Sequence, residues 1–428
     1  MVEDRYGLVL TTSSTEAGLQ FMAAMDRALA LRGGARPLLE TAVEIDPKFA
    51  LAWSMLGGQL RGTGEIAEGN TMIHRALMLA DRATERERGH VEVLSLFAAS
   101  RFADARVAAE QHLAVWPGDV YVLMYAHYLF NLYTPDLDRR TRHLALAGHV
   151  AEHVPDDWYV LGELAFATEE SGLYAEAREL AERSLAMNPQ NAAAAHSLAH
   201  ALLETGAASI GATWLRRWLL EWQDPAAIGC HLTWHLALFQ LFDGQPVTEE
   251  LSQILGYVGR SVGVLSDGAS LLWRLHLAGR TGLDWGVLSG VPAPAGNTFH
   301  GLHRALVLAG LRDVDGLAAL SSDLRDRAMS GQPIASTCAD VVDALSRFAQ
   351  GDARGAAELL LSAEGSVAGL GGSRAQLEVV DDTLIAALRN SGQIAEARAR
   401  LTIRLQRRPT RRDAQWLTDM ATASEPTA

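Results

Sequence analysis

The chain has 428 residues, 49% of them hydrophobic and 21% charged, which excludes a disordered polypeptide and leaves ample material for a buried core. Acidic residues outnumber basic ones by 51 to 37, for a net charge of −14. With no Lys/Arg cluster interleaved with aromatics and no basic amphipathic face, this balance predicts no nucleic-acid partner and no membrane partner.

The first segment, up to Thr12, carries acidic residues and no long apolar run, so it does not read as a signal peptide. Two cysteines, Cys230 and Cys338, are too few for a disulfide framework or a thiolate metal site. The chain therefore reads as a cytoplasmic protein.

Prolines punctuate the chain at regular intervals. Pro47, Pro117 and Pro189 are 70 and 72 residues apart, and Pro155 divides the second interval into 38 and 34. A period near 34 marks tetratricopeptide-type repeats, with Pro ending one helix and fitting the turn before the next. The clearest unit runs from Asp156 to Asn191. Trp158, Leu161, Leu164, Ala165 and Thr168 trace one helical face, and Gly172 ends that helix. Tyr174, Ala177, Ala181 and Leu185 form the stripe of a second helix, whose small residues permit close approach. The same second-helix pattern recurs from Phe102 to Pro117 and from Ile394 to Pro409.

No alternating strand pattern is present. The expected fold is thus all-α, a right-handed α-solenoid of tetratricopeptide-like helix-turn-helix repeats. The Gly/Pro-rich stretch 290–296 reads as a loop that breaks the stacking. This gives N-terminal and central repeats over 1–289, C-terminal repeats over 297–420, and a disordered tail over 421–428. The glycines of 369–373 read as a turn between helices, since no strand precedes them. Arg404, Arg407, Arg408, Arg411 and Arg412 read as a solvated helix end.

Fourteen histidines remain to be placed. His196 and His200 are spaced i, i+4, as are His231 and His235, so each pair projects from one helical face one turn apart. The first pair follows Pro189 directly and so lies on a first helix, the kind that lines the concave binding groove of such arrays. Four imidazoles on neighbouring helices form either a set of polar groove residues or the ligands of a divalent transition metal.

The stretches around these residues resemble the tetratricopeptide repeat protein 38 family along nearly the whole chain. The most specific segments are Cys230-His231-x-x-x-His235 and Leu370-Gly371-Gly372-Ser373-x-x-Gln376. The resemblance implies a groove lined by His90, His127, His196, His200, His231, His235 and His303, with Asp267, Arg274, Asp340 and Gln376 among its charged and polar groups. It implies no established reaction. One departure is Leu202, where the family carries a further histidine.

Three readings compete, one of them a purely structural groove whose histidines bond to each other and to water. In the first, the groove is a pocket for a small polar molecule. His196, His200, His231 and His235 then act as general acids and bases or as metal ligands. Arg274 holds an anionic group, Asp267 or Asp340 orients a histidine, and Trp234, Tyr125, Tyr128 and Trp273 narrow the groove. In the second, the chain is a non-catalytic scaffold that binds a peptide or protein.

Overall fold

A computed structural model describes residues 2–422 other than 260, 262, 294 and 295. Among the described residues there are 23 α-helices and a single two-stranded antiparallel hairpin, Val2–Glu3 with Val9–Leu10. The protein is all-α and built of tetratricopeptide-like helix-turn-helix pairs. The final helix extends to Thr422, so Ala421 and Thr422 of the expected tail are helical, and the rest of that tail lies outside the described residues.

The chain divides into two compact units. The first comprises Met1–Thr134, Asp138–Leu198 and Glu221–Ile228, and the second Pro135–Leu137, Ala199–Leu220 and Gly229–Ala428. The division runs through the Ala192–Glu204 helix rather than at the 290–296 loop.

The expected punctuation is present. Pro47, Pro117, Pro155, Pro189 and Pro409 all fall in turns between helices. Gly172 takes φ 87°, a left-handed conformation that costs glycine little, and reverses the chain between Trp158–Glu170 and Tyr174–Met187. Side-chain caps fix several helix starts. Asp157 accepts from the backbone N–H groups of Tyr159 and Val160. Thr84 with Glu87, and Ser373 with Gln376, form capping boxes.

The two helices of a pair are buried differently. The second helix presents one stripe: Tyr174–Met187 buries Ala177, Leu180, Ala181 and Ser184. That stripe is rotated slightly from expectation, leaving Tyr174 and Leu185 half-buried. The first helix is buried on nearly every side, as in Trp158–Glu170, where Glu163, Thr168, Glu169 and Glu170 are buried along with the apolar residues. A single apolar face was expected there. The helix instead packs against neighbours on both sides, so its polar residues enter the interior as well.

Close approach within a pair depends on small residues. A Cβ built on Gly57 of Ala50–Gly62 would lie 2.7 Å from the Gly69 carbonyl oxygen of Ile66–Ala80, and one on Gly69 would lie 2.6 Å from that of Gly57.

The arginines near the C-terminus correct the sequence reading. Arg404, Arg408 and Arg412 are buried, not solvated. Asp382, fully buried on Arg374–Asn390, accepts from Arg404 Nη1 at 2.8 Å and from both Nη atoms of Arg412 at 3.1 Å. It also accepts from Arg274 Nε at 3.1 Å. Arg408 pairs with Glu378, and Arg408 and Arg412 stack over Phe242 at 4.5 and 4.4 Å. The pattern R-x-x-x-R-x-x-x-R, interrupted by the Pro409 turn, was read as a helix end because exposed and buried arginine rows share the same spacing.

The surrounding guanidinium groups hold the Asp382 and Glu378 carboxyls well below the usual carboxylate range, against the desolvation that would raise them. A depressed folded-state pKa gives stability that is complete above the unfolded value and is lost as pH falls toward the folded one. Unfolding midpoints in urea should therefore drop between about pH 5 and pH 2. Asp382→Asn should cost about 3–5 kcal/mol at neutral pH, because it leaves several buried guanidiniums without their carboxylate. It should also flatten the acid limb. A neutral-pH loss below about 1 kcal/mol would show that the network is dispensable.

Candidate histidine centre

In the second unit, His200, His231 and His235 converge. One ring nitrogen of each lies within 4.8 Å of those of the other two. The His200 and His235 rings meet edge to face at 4.5 Å, and those of His231 and His235 at 4.7 Å. His200 and His235 are buried, and His231 is partly so. The i, i+4 spacing of His231 and His235 on Ile228–Phe242 produces this juxtaposition, and His200 enters from Ala192–Glu204. His196 sits one turn before His200 on that helix and stacks on Phe166 at 5.3 Å within the first unit.

The helix Val264–Leu277 orients the group. His231 Nδ1 donates to Asp267 Oδ1 at 2.8 Å, which fixes the tautomer and makes Nε2 the lone-pair position. Trp234 stacks on His231 at 5.1 Å and donates its indole N–H to Ser270 Oγ at 2.9 Å. Trp234 is thus fully buried support for the ring rather than a wall facing solvent. Burial and the neighbouring Asp267 push the Cys230 thiol above its ordinary range, so it stays protonated and offers no thiolate.

Other residues singled out in the sequence lie elsewhere. Arg274 is committed to Asp382 and to the Ala375 carbonyl, at 2.9 Å, so its expected role as a clamp for an anionic ligand is corrected. Asp340 forms a half-exposed ion pair with Arg325 at 2.7 Å and does not reach the histidines, which corrects its expected place in the site. Gln376 closes the capping box of Arg374–Asn390 and serves the helix start. His303 is fully buried, donates from Nδ1 to the Phe299 carbonyl at 2.7 Å, and is not among the converging rings.

His90 and His127 belong to the first unit, each beside its own carboxylate. Asp119 accepts from His90 Nδ1 at 2.9 Å, His112 Nε2 at 3.0 Å and Arg86 Nη1 at 3.0 Å. Glu163 Oε1 accepts from His127 Nδ1 and His143 Nε2, both at 2.8 Å. Despite complete burial, the adjacent imidazoles hold the Glu163 carboxyl down to about 2. Tyr125 and Tyr128 pack in this unit, with Tyr128 edge-on to His127. Sequence reading missed Asp119, His112, His143 and Glu163. The one signal for Glu163 was a glutamate inside the otherwise apolar run from Trp158 to Ala167.

No family model matches the chain. Solved structures similar to it include two of one protein. The human IFIT1 dimer with PPP-AAAA matches at 13% identity over 96% of this chain and 92% of that one, with a TM-score of 0.42. The human IFIT1 dimer with m7Gppp-AAAA matches at 12% identity over 97% and 92%, also at 0.42. The expectation that excluded nucleic acid is corrected here. The two matched structures named above hold PPP-AAAA and m7Gppp-AAAA. Among the described residues no helix is long and apolar enough to cross a membrane.

Two buried imidazoles in the second unit give a pH prediction. Burial pushes His303 down to about 3 and His300 to about 4, from an ordinary value of 6.5. Both rings are neutral in the folded protein, while the unfolded chain takes up a proton on each below pH 6.5. Their stabilisation is therefore complete above 6.5 and is lost as pH falls toward the folded values. Between about pH 6 and 5 the loss should approach roughly 1.4 kcal/mol per pH unit per ring. His303→Gln should remove one ring's share of that slope in urea titrations. An unchanged slope would mean that His303 titrates normally in the fold.

Proposed function

We propose that the chain is a tetratricopeptide-like protein whose working centre is the His200, His231 and His235 cluster, and that this cluster holds a divalent transition metal to which a small polar molecule binds. The observation that carries the reading is the convergence of three ring nitrogens within 4.8 Å, one of them oriented by Asp267.

Three imidazoles with a fourth position left open are a known catalytic ligand set for zinc, and neutral imidazole suits several first-row ions. Tetrahedral ligands lie about 3.3 Å apart when each metal–nitrogen distance is about 2.0–2.1 Å. Small ring rotations reach that spacing. Neutral imidazoles leave the ion's charge uncompensated, and the Asp267 carboxylate behind His231 supplies part of the balance. When bound, the ion supplies Lewis acidity and lowers the pKa of a bound water toward about 7.

The burial of His200 and His235 favours metal binding over free acid–base work, which needs contact with a ligand proton. The resemblance to the tetratricopeptide repeat protein 38 family, whose pattern includes these same histidines, supports a functional rather than incidental cluster. It brings no reaction with it.

Metal analysis of untagged protein should find a transition ion that His231→Ala or His235→Ala removes while far-UV circular dichroism stays helical. Asp267→Asn should weaken binding by roughly 10–100-fold through loss of ring orientation. Unchanged metal content in both histidine variants would end this reading.

A further inference from the structure

We propose that His127, His143 and Glu163 form a second site in the first unit, which binds a divalent first-row transition metal on two imidazoles and one carboxylate. This goes beyond the centre proposed above and shares no residue with it.

Three successive helical segments build the group. His127 comes from Val120–Tyr128, His143 from Arg139–His153 and Glu163 from Trp158–Glu170. One ligand atom of each lies within 4.8 Å of those of the others. His127 Nδ1 and His143 Nε2 both stand 2.8 Å from Glu163 Oε1, and their rings are turned 77° from one another. Cis ligands about 2.1 Å from an octahedral ion are about 3 Å apart, so the two nitrogen–oxygen distances are near those of a two-histidine, one-carboxylate face, and the nitrogens lie within 4.8 Å of one another. Such a face leaves positions open for an exogenous ligand.

Charge separates this group from its neighbour in the same unit. Asp119 also carries two imidazoles, but Arg86 pairs with it as well, while lying 3.8 Å from the buried Glu87. Among the described residues no guanidinium or ammonium pairs with Glu163, whose partners are the two histidines. A carboxylate buried this deeply is stabilised by hydrogen bonds and by a positive partner, here a proton on one imidazole or a cation.

Two further features favour the cation. His127 is 21% exposed, which provides an entry path that the Asp119 cluster lacks. The helix that carries His127 passes directly into a π-helical turn, Leu129–Tyr133, and π-turns interrupt α-helices frequently at functional sites. Asn131 of that turn donates to the His127 carbonyl at 2.8 Å and so ties the turn to the ligand-bearing residue.

The test is a Co(II) titration of the metal-stripped full-length protein, read by visible absorption and equilibrium dialysis. Wild type should bind two equivalents per chain. Glu163→Gln and His127→Ala should each lose one of them or bind it at least about tenfold more weakly, and His235→Ala should lose the other. His127 is part-exposed, so its variant keeps the test valid if Glu163→Gln fails to fold by circular dichroism. Two equivalents bound with unchanged affinity in both first-unit variants would overturn the second site. So would a single wild-type equivalent that His235→Ala abolishes and His127→Ala leaves intact, which means that a proton balances Glu163. A single equivalent lost in His127→Ala but kept in His235→Ala would support this site and overturn the centre proposed above.

Discussion

Buried carboxylates organise both units of this protein. A first helix packed on both sides has no solvent face, so any acid it carries must find its counter-charge inside. Glu163 sits against two imidazoles in the first unit, Asp119, just before such a helix, against two imidazoles and Arg86, and Asp382 among guanidiniums in the second. Asp267 holds His231 in the same manner. Each of these four acids fixes the rings or guanidiniums around it, and the candidate sites and the C-terminal arginine network are built on them.

The choice of cation sets what each acid can do. Guanidinium stays charged at every accessible pH and offers a rigid fork, so the Asp382 network is permanently paired and serves cohesion. That commitment takes Arg274 out of the set of ligand-binding residues, although the family resemblance and its guanidinium made it a candidate clamp. Imidazole is different, since it can surrender its proton and present a lone pair. The histidine-bearing acids are therefore where binding chemistry is available.

Much of the fold was legible in the sequence because its determinants are local. Proline stops, the Gly172 turn and the Ala177 and Ala181 stripe act within a few residues, and they made the pair architecture readable. The i, i+4 spacing placed His231 and His235 on one face for the same reason. What could not be read was pairing between distant segments. Arg404, Arg408 and Arg412 have the pattern of a solvated row, and only their meeting with Asp382 and Glu378 shows otherwise. Glu163 and His143 are 20 residues apart on different helices, and neither belongs to a short motif. The family pattern marked Asp340 and Gln376 without their roles, one being an ion pair with Arg325 and the other a helix cap.

Asp119 and Glu163 differ in one respect that matters for binding. Both acids are buried in the same unit, and both accept from one Nδ1 and one Nε2. If two imidazoles alone were sufficient to stabilise a buried carboxylate, Arg86 would be redundant at the first position. Its presence there, with one hand on Asp119 and the other on the Val9 carbonyl, shows a full unit of positive charge supplied by the chain itself. At Glu163 the chain supplies none and leaves one imidazole edge open to solvent. A proton from water meets that demand only while one imidazole stays charged, whereas a divalent ion meets it at any pH where the imidazoles are neutral.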